Sequence, residues 1–168
     1  MSNDWSFETR QIHAGQTPDP TTGARALPIY QTTSFVFPDA DTAAARFALA
    51  DLGPIYTRIG NPTQQAVEDR IASLEGGVGA LLLASGQAAS TFSILNVAEA
   101  GDHVVASPSL YGGTYNLFAH TLKKLGVEVG FVADPHDPQA WRDAVRPNTK
   151  LFFAESIPNP RSDVLDIE

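Results

Sequence analysis

An α/β fold with a mostly parallel sheet flanked by helices is predicted by three features of this 168-residue sequence. Four short apolar runs from residue 80 onward are separated by three stretches of helical spacing, the pattern of strands joined by crossover helices. Capping and stop residues stand at the boundaries of those stretches. The composition, 43% hydrophobic and 18% charged, supplies apolar mass for a core and argues against disorder.

Residues 1–60 hold many turn formers (Pro18, Pro20, Gly23, Pro28, Pro38, Gly53, Pro54, Gly60) and only short periodic pieces, so they read as an arm and loops that something else must cover. A helix is predicted next. Asn61 can cap it, Pro62 suits the first helical position, Val67, Ile71 and Leu74 share one face, and Gly76-Gly77 stops the run. Residues 80–84 read as a buried strand, 87–100 as a helix, and 103–107 as a second strand opened by Gly101-Asp102. Tyr115, Phe118, Leu122 and Leu125 mark a helix closed by Gly126. Residues 127–132 make a third strand, 138–146 a helix and 150–155 a fourth strand.

The charge balance excludes several classes of partner. With 11 Lys and Arg against 19 Asp and Glu the net charge is −8, so the broad cationic face needed for nucleic acid or an anionic membrane is missing. The absence of Cys removes disulfides, thiolate catalysis and Cys-ligated zinc. His13 and His136 stand singly, without a second ligand at helical or strand spacing, so no metal is assigned. The opening Met-Ser-Asn-Asp-Trp-Ser-Phe-Glu lacks the basic start and apolar block of a signal peptide, and no apolar run reaches the ~18 residues of a membrane span. A cytoplasmic protein is expected, with Trp5 and Trp141 as packing residues.

In a parallel sheet, ligands sit beyond the carboxyl ends of the strands, where loops converge and helix N-termini point. That edge carries Ser85-Gly86-Gln87, Pro108-Ser109-Leu110-Tyr111, Asp134-Pro135-His136 and Ser156-Ile157-Pro158-Asn159-Pro160. A small turn entering a helix leaves backbone N–H groups pointing outward, and a phosphate can use several at once. Ser85 adds a hydroxyl and Gly86 permits close approach; the same turn also serves as plain helix capping. Gly77-Val78-Gly79 precedes its strand, Leu82 occupies the third glycine position, and no Gly-Lys-Ser/Thr occurs, so neither the dinucleotide fingerprint nor a P-loop is present. Three other features join the turn. Tyr56 and Arg58, two apart in an extended segment, can face one way, and the Arg fork suits a phosphate. Tyr111 puts a ring at the same edge, and Asn159 stands between prolines. A surface Arg, a core Tyr and a turn Asn are the alternatives taken one at a time; together the residues form a set.

The segments "YTRIGNPT", "LLLASGQAAS", "AGDHVVASPSLYGGTYNLF" and "ESIPNPRSDVLDIE", in this order and spacing, resemble the N-terminal part of the Cys/Met-metabolism family of pyridoxal-phosphate (PLP) enzymes, and the likeness covers essentially all of the chain. The resemblance implies the PLP-dependent transferase fold (aspartate aminotransferase-like, fold type I), here incomplete. Residues 1–60 would be the N-terminal arm and dimer-contact loop, and 61–168 the first part of the PLP-binding α/β domain. By position, Ser85, Gly86 and Gln87 would hold the phosphate of pyridoxal 5'-phosphate. Tyr56 and Arg58 would reach the phosphate of the neighbouring subunit, making a homo-oligomer whose dimers share active sites, within a tetramer. Tyr111 would stack on the pyridine ring and, as a catalytic residue, assist proton transfer. Asn159 would hydrogen-bond near the cofactor's phenolic oxygen and the substrate carboxylate. Some relatives carry Met at position 87, so the Gln side chain itself is not implied to be essential.

The opening "FETRQIHAGQTPDPTTGARALPIYQTTSF" and "SLYGGTYNLFAHTLKKLG" most resemble members that replace the acetoxy group of O-acetylhomoserine with sulfide, giving homocysteine and acetate in methionine and cysteine biosynthesis. Cystathionine γ-synthase or methionine γ-lyase chemistry, or a non-catalytic chain that only assembles, are the rival expectations. The family's Schiff-base lysine lies in a Ser-x-Thr-Lys-type segment beyond residue 168, as do the aspartate pairing with the pyridine nitrogen and the arginine that binds the substrate carboxylate. Lys123, Lys124 and Lys150 match none of these positions. The 168 residues are therefore expected to be the N-terminal piece of a longer enzyme and inactive alone.

Overall fold

A computed structural model describes residues 4–167, which divide after Leu82 into two compact units. The first contains three helices, α1 (Phe7–His13), α2 (Ala40–Phe47) and α3 (Pro62–Glu75). Each starts on a side-chain cap. Ser6 Oγ accepts the Thr9 N–H at 3.4 Å, Asp39 accepts the Thr42 N–H at 2.6 Å, and Asn61 accepts the Thr63 N–H at 2.9 Å. The Thr42 N–H, and then the Thr42 hydroxyl, hold the Asp39 carboxyl below its ordinary value. α3 begins at Pro62 and ends on Gly76 at φ +68°, the left-handed cap that the sequence signals require.

The face that α3 buries is not its apolar line. Val67 and Ile71 remain 42% and 48% exposed, whereas Ala66 and Ala72 are buried. The reason is a close backbone approach by the turn that follows α1. Gly15 has φ +78°, and a Cβ built on it would stand 2.2 Å from the Ala66 carbonyl oxygen, so only Gly opposite a small residue fits. Two arginines lock this contact, Arg10 donating to the Ser73 carbonyl and Arg70 Nε to the Ala14 carbonyl at 2.9 Å. The chain between α1 and α3 is pinned by Asn61, whose Nδ2 donates to the Tyr30 carbonyl at 2.9 Å and to Thr57 Oγ1 at 3.1 Å.

The second unit is built on three parallel strands in the order β2-β1-β3, with β1 at His103–Ala106, β2 at Glu128–Phe131 and β3 at Thr149–Phe153. β1 is buried at every position, as a central strand covered on both faces must be. One face packs Val104 and Ala106 against Ile94, Ala98, Leu110, Phe118, Leu122 and Val127, with Phe153 meeting the Phe118 ring edge-on at 4.7 Å. Helix α4 (Gly86–Leu95) precedes β1 and α7 (Pro138–Asp143) precedes β3. Between β1 and β2 the helical run is continuous from residue 112 to 124: α5 (Gly112–Asn116), a π-helical segment (Leu117–Thr121) and α6 (Leu122–Lys124).

The sequence predicts a further strand at 80–84, and the structure overturns it: no strand forms there, and Leu81 and Leu82 are 73% and 42% exposed. An apolar run becomes a strand only when a neighbouring edge takes up its backbone N–H and C=O groups. Both edges of β1 are filled by β2 and β3, and among the described residues no ladder joins residues 80–84 to the outer edge of either. The other three strands and the helices between them form where the periodicity puts them, each somewhat shorter at its C-terminal end except the helix after β1, which starts earlier, at Gly112.

Candidate functional site

The N-terminus of α4 is capped by Ser85, whose Oγ accepts the Ala88 N–H at 3.1 Å and whose carbonyl accepts the Ala89 N–H at 3.1 Å. The two intervening amides, of Gly86 and Gln87, find no acceptor among the described residues. Ser85 and Gly86 are exposed, and a Cβ built on Gly86 would meet no atom within 4 Å. Two unclaimed N–H donors, a hydroxyl whose hydrogen remains to donate, and the positive end of a 10-residue helix thus face open space. That donor set suits a phosphate.

Beside it lies the loop after β1. Ser107 Oγ accepts the Ser109 N–H at 3.0 Å and closes the turn that leads to Tyr111, the residue before α5. The Gln87 side chain crosses to this loop, Nε2 donating to Thr114 Oγ1 at 2.9 Å. Gln87 therefore presents a backbone amide at the α4 end while its side chain is held by α5. Gly113 marks how tightly the pieces meet: a Cβ there would stand 2.7 Å from Tyr111 Cε1 and 3.4 Å from Gln87 Cδ. The Tyr111 ring, 48% exposed, is brought next to the residues that end the α4 turn.

The remaining predicted residues are placed differently. Asn159 follows the buried Pro158 and is itself exposed, with no hydrogen bond among the described residues. Its loop is tied back by Ser162 N–H to the Pro158 carbonyl at 2.7 Å and Leu165 N–H to the Ser156 carbonyl at 3.0 Å. The loop after β2 joins the same region through His136 Nε2 and Asp163 Oδ1, 2.8 Å apart. Tyr56 and Arg58 belong to the first unit. Their segment is a turn and not extended: the Tyr56 carbonyl accepts both the Ile59 N–H at 2.8 Å and the Gly60 N–H at 3.0 Å. Residues 33–35 pair antiparallel with 55–57 and fix this turn, and the Arg58 guanidinium lies over the Tyr56 ring, 5.5 Å from its centroid. Arg58 makes no ion pair among the described residues.

One feature that the sequence does not signal completes the edge. Glu155, two residues past β3, accepts the Tyr111 N–H on both carboxylate oxygens, at 3.2 and 3.1 Å. The chain's three lysines stand at the opposite edge: Lys150 within β3 next to its first residue, 3.6 Å from Asp102, and Lys123 and Lys124 at the end of α6, where the chain turns into β2. His13 and His136 have partners of their own, Arg25 at 2.9 Å for the former and Asp163 for the latter. Trp141 packs edge-on against Phe152 and donates to the Pro135 carbonyl at 3.0 Å.

Comparison with known proteins adds the family. The model of the family described as "Cys/Met metabolism PLP-dependent enzyme" matches residues 8–168. An O-acetyl-L-homoserine sulfhydrylase of Corynebacterium glutamicum is 61% identical over 99% of this chain, and one of Leptospira meyeri is 53% identical over 99%. The chain spans 38% of the length of each. A crystal structure of an O-acetylhomoserine (thiol)-lyase from Campylobacter jejuni, holding a pyridoxyl-lysine monophosphate, superposes with a TM-score of 0.90 at 40% identity; the match covers 98% of this chain and 40% of that one. A parallel sheet with an open, amide-lined helix terminus beside the loop after its central strand, together with a family match over nearly the whole chain, shows that this protein belongs to the Cys/Met-metabolism family of PLP-dependent enzymes.

Proposed function

We propose that the protein at its natural length carries out γ-replacement on O-acetylhomoserine with sulfide, releasing homocysteine and acetate, as an amino-acid biosynthetic transferase of the cytoplasm. The observation that carries this reading is the pair of unclaimed amides at Gly86 and Gln87, beside the Tyr111 ring, in a chain 61% identical to a sulfhydrylase. PLP, when bound, supplies an electron sink for charge developing on the substrate's carbon atoms.

The chain's own residues have separate tasks in this reading. The Gly86 and Gln87 N–H groups and the Ser85 hydroxyl hold the phosphate, with the α4 dipole favouring its charge. Tyr111 lies against the pyridine ring and holds or passes a proton at its phenolic oxygen. Asn159 offers its side-chain amide to the cofactor's phenolic oxygen and the substrate carboxylate. Arg58, poised over Tyr56 and without an ion pair among the described residues, reaches with Tyr56 to the phosphate of a neighbouring subunit, so that a dimer shares its sites within a tetramer. Removing the α and β protons in turn requires an amine or comparable base. Lys123, Lys124 and Lys150 stand at the wrong edge, and residues 1–168 alone are proposed to make no homocysteine.

The test supplies O-acetylhomoserine and sulfide to the natural-length protein loaded with PLP and measures homocysteine and acetate. Formation of both supports the reading. Cystathionine made only with cysteine, or thiol release from methionine without added sulfide, would replace it with γ-synthase or γ-lyase chemistry. Ser85→Ala and Arg58→Ala are expected to weaken PLP binding by about 10-fold each, the loss of one good hydrogen bond to a charged group.

A further inference from the structure

We infer that Glu155 is a positioning residue for Tyr111, acting through the Tyr111 backbone and not through its phenol. The inference rests on the reading of Tyr111 as the group against the cofactor ring.

Both Glu155 carboxylate oxygens lie within hydrogen-bond distance of the Tyr111 N–H, at 3.2 and 3.1 Å. The two residues are 44 apart in sequence, and the contact joins the loop after β1 to the end of β3. Tyr111 has no side-chain cap of its own at the start of α5, while its carbonyl already accepts the Tyr115 N–H at 2.9 Å. Its backbone is thus fixed on the helix side by the first turn of α5 and on the loop side by Glu155, next to the core residue Leu110 and the Ser107–Ser109 turn. With both ends held, the remaining freedom is the tilt of the ring. Gly113 makes room for the ring in its present tilt, because the ring lies so close that a single methyl group at 113 would overlap it. Gln87 Cδ lies near the same point, its side chain held by the hydrogen bond to Thr114 Oγ1.

The carboxylate is the natural choice for this task. A charged acceptor binds an N–H about twice as strongly as a neutral one, and a helix N-terminus favours negative charge. Removing it frees a loop whose position sets the ring, and a displacement of the order of 1 Å at a reacting group costs about 100-fold in rate. The functional weight of Glu155 then lies in where it puts Tyr111. Its loss and the loss of Tyr111 are one event, and their effects must not add.

The experiment uses the natural-length protein. Amide hydrogen exchange in the PLP-free form is expected to find the Tyr111 N–H protected in the wild type and in Glu155→Gln, which keeps an acceptor oxygen, and fast in Glu155→Ala. In the loaded protein, Glu155→Ala is expected to lower kcat by roughly 10- to 100-fold with KM within about two-fold, and Glu155→Gln to restore most of it. Combined with Tyr111→Phe, Glu155→Ala should add less than about two-fold to the loss that Tyr111→Phe causes alone. A Tyr111 amide that exchanges freely in the wild type, or losses that multiply in the double variant, would overturn the positioning role. If Glu155→Ala does not fold, Glu155→Met removes the acceptor at nearly the same length, and the wild-type exchange measurement stands by itself. Should Tyr111→Phe and Tyr111→Ala both leave turnover and the visible circular dichroism of bound PLP unchanged, the reading of Tyr111 fails instead, which the exchange data distinguish from a failure of the Glu155 contact.

Discussion

The two units of the chain are held together by different means. The second is a sheet whose central strand is wholly buried and whose core residues are aliphatic or aromatic. The first has little apolar burial beyond Ala14, Ala66 and Ala72, and is held by side chains that capture backbone groups across long stretches of chain: Arg10 on Ser73, Arg70 on Ala14, Asn61 on Tyr30. The hydrophobic effect is non-directional and tolerates small shifts, whereas a hydrogen bond to a specific carbonyl fixes a path. A folded arm can therefore be well defined with almost no core, provided that its polar anchors are in place.

The sharpest way to break this contrast is to remove apolar mass from the second unit. Phe118→Ala deletes a ring that is 1% exposed and packed against Phe153, and is expected to cost about 3–5 kcal/mol in chemical denaturation. In the first unit the largest loss should come from geometry. Gly15→Ala places a methyl group against the Ala66 carbonyl at a positive φ, with an expected cost of about 2–3 kcal/mol in the same measurement. Asn61→Ala removes a helix cap and leaves the Tyr30 carbonyl without its donor, for about 1–2 kcal/mol.

Smaller still is a pH effect in the second unit. His103 is buried at the start of β1, with Nδ1 2.8 Å from Thr149 Oγ1. Burial, and then the positive charge of Arg146, hold its pKa below the ordinary value, against a weaker opposing pull from Glu128. The unfolded chain therefore takes up this proton at a higher pH than the folded one. Stability is fully present above the ordinary histidine value, near 6.5, and is lost as the pH falls below it. The melting temperature is expected to fall by a few degrees between about pH 7.5 and about pH 5.5, and less in His103→Asn. Asp51→Asn, which breaks the exposed pair with Arg46, should change stability by about 0.5 kcal/mol or less.

The same contrast explains what the sequence makes legible. The strands at 103–106, 128–131 and 149–153 follow from apolar periodicity, and α3 from its cap, proline and glycine, because these signals are local. Residues 80–84 carry the same apolar signal without a strand, since a ladder needs an edge that no single segment encodes. The exposed line of Val67 and Ile71 fails for a related reason: the partner face is chosen by Gly15, fifty residues away. At the candidate site, Tyr111 can be read from the loop after β1, and Ser85, Gly86 and Gln87 from the small capped turn that opens α4. The Glu155 contact to Tyr111 and the Gln87 bridge to Thr114 join distant segments and leave no local trace.

One further contact ties two positions of the chain to a shared fate. The Nε2 atom of His103 is buried without a hydrogen-bond partner among the described residues and sits 2.8 Å from where a Cβ on Gly130 would be. While the imidazole keeps this position, a side chain at 130 would have to displace it. A shorter side chain at 103 opens position 130 to alanine, so among relatives the two sites should drift as a couple, with bulk at one traded for bulk at the other.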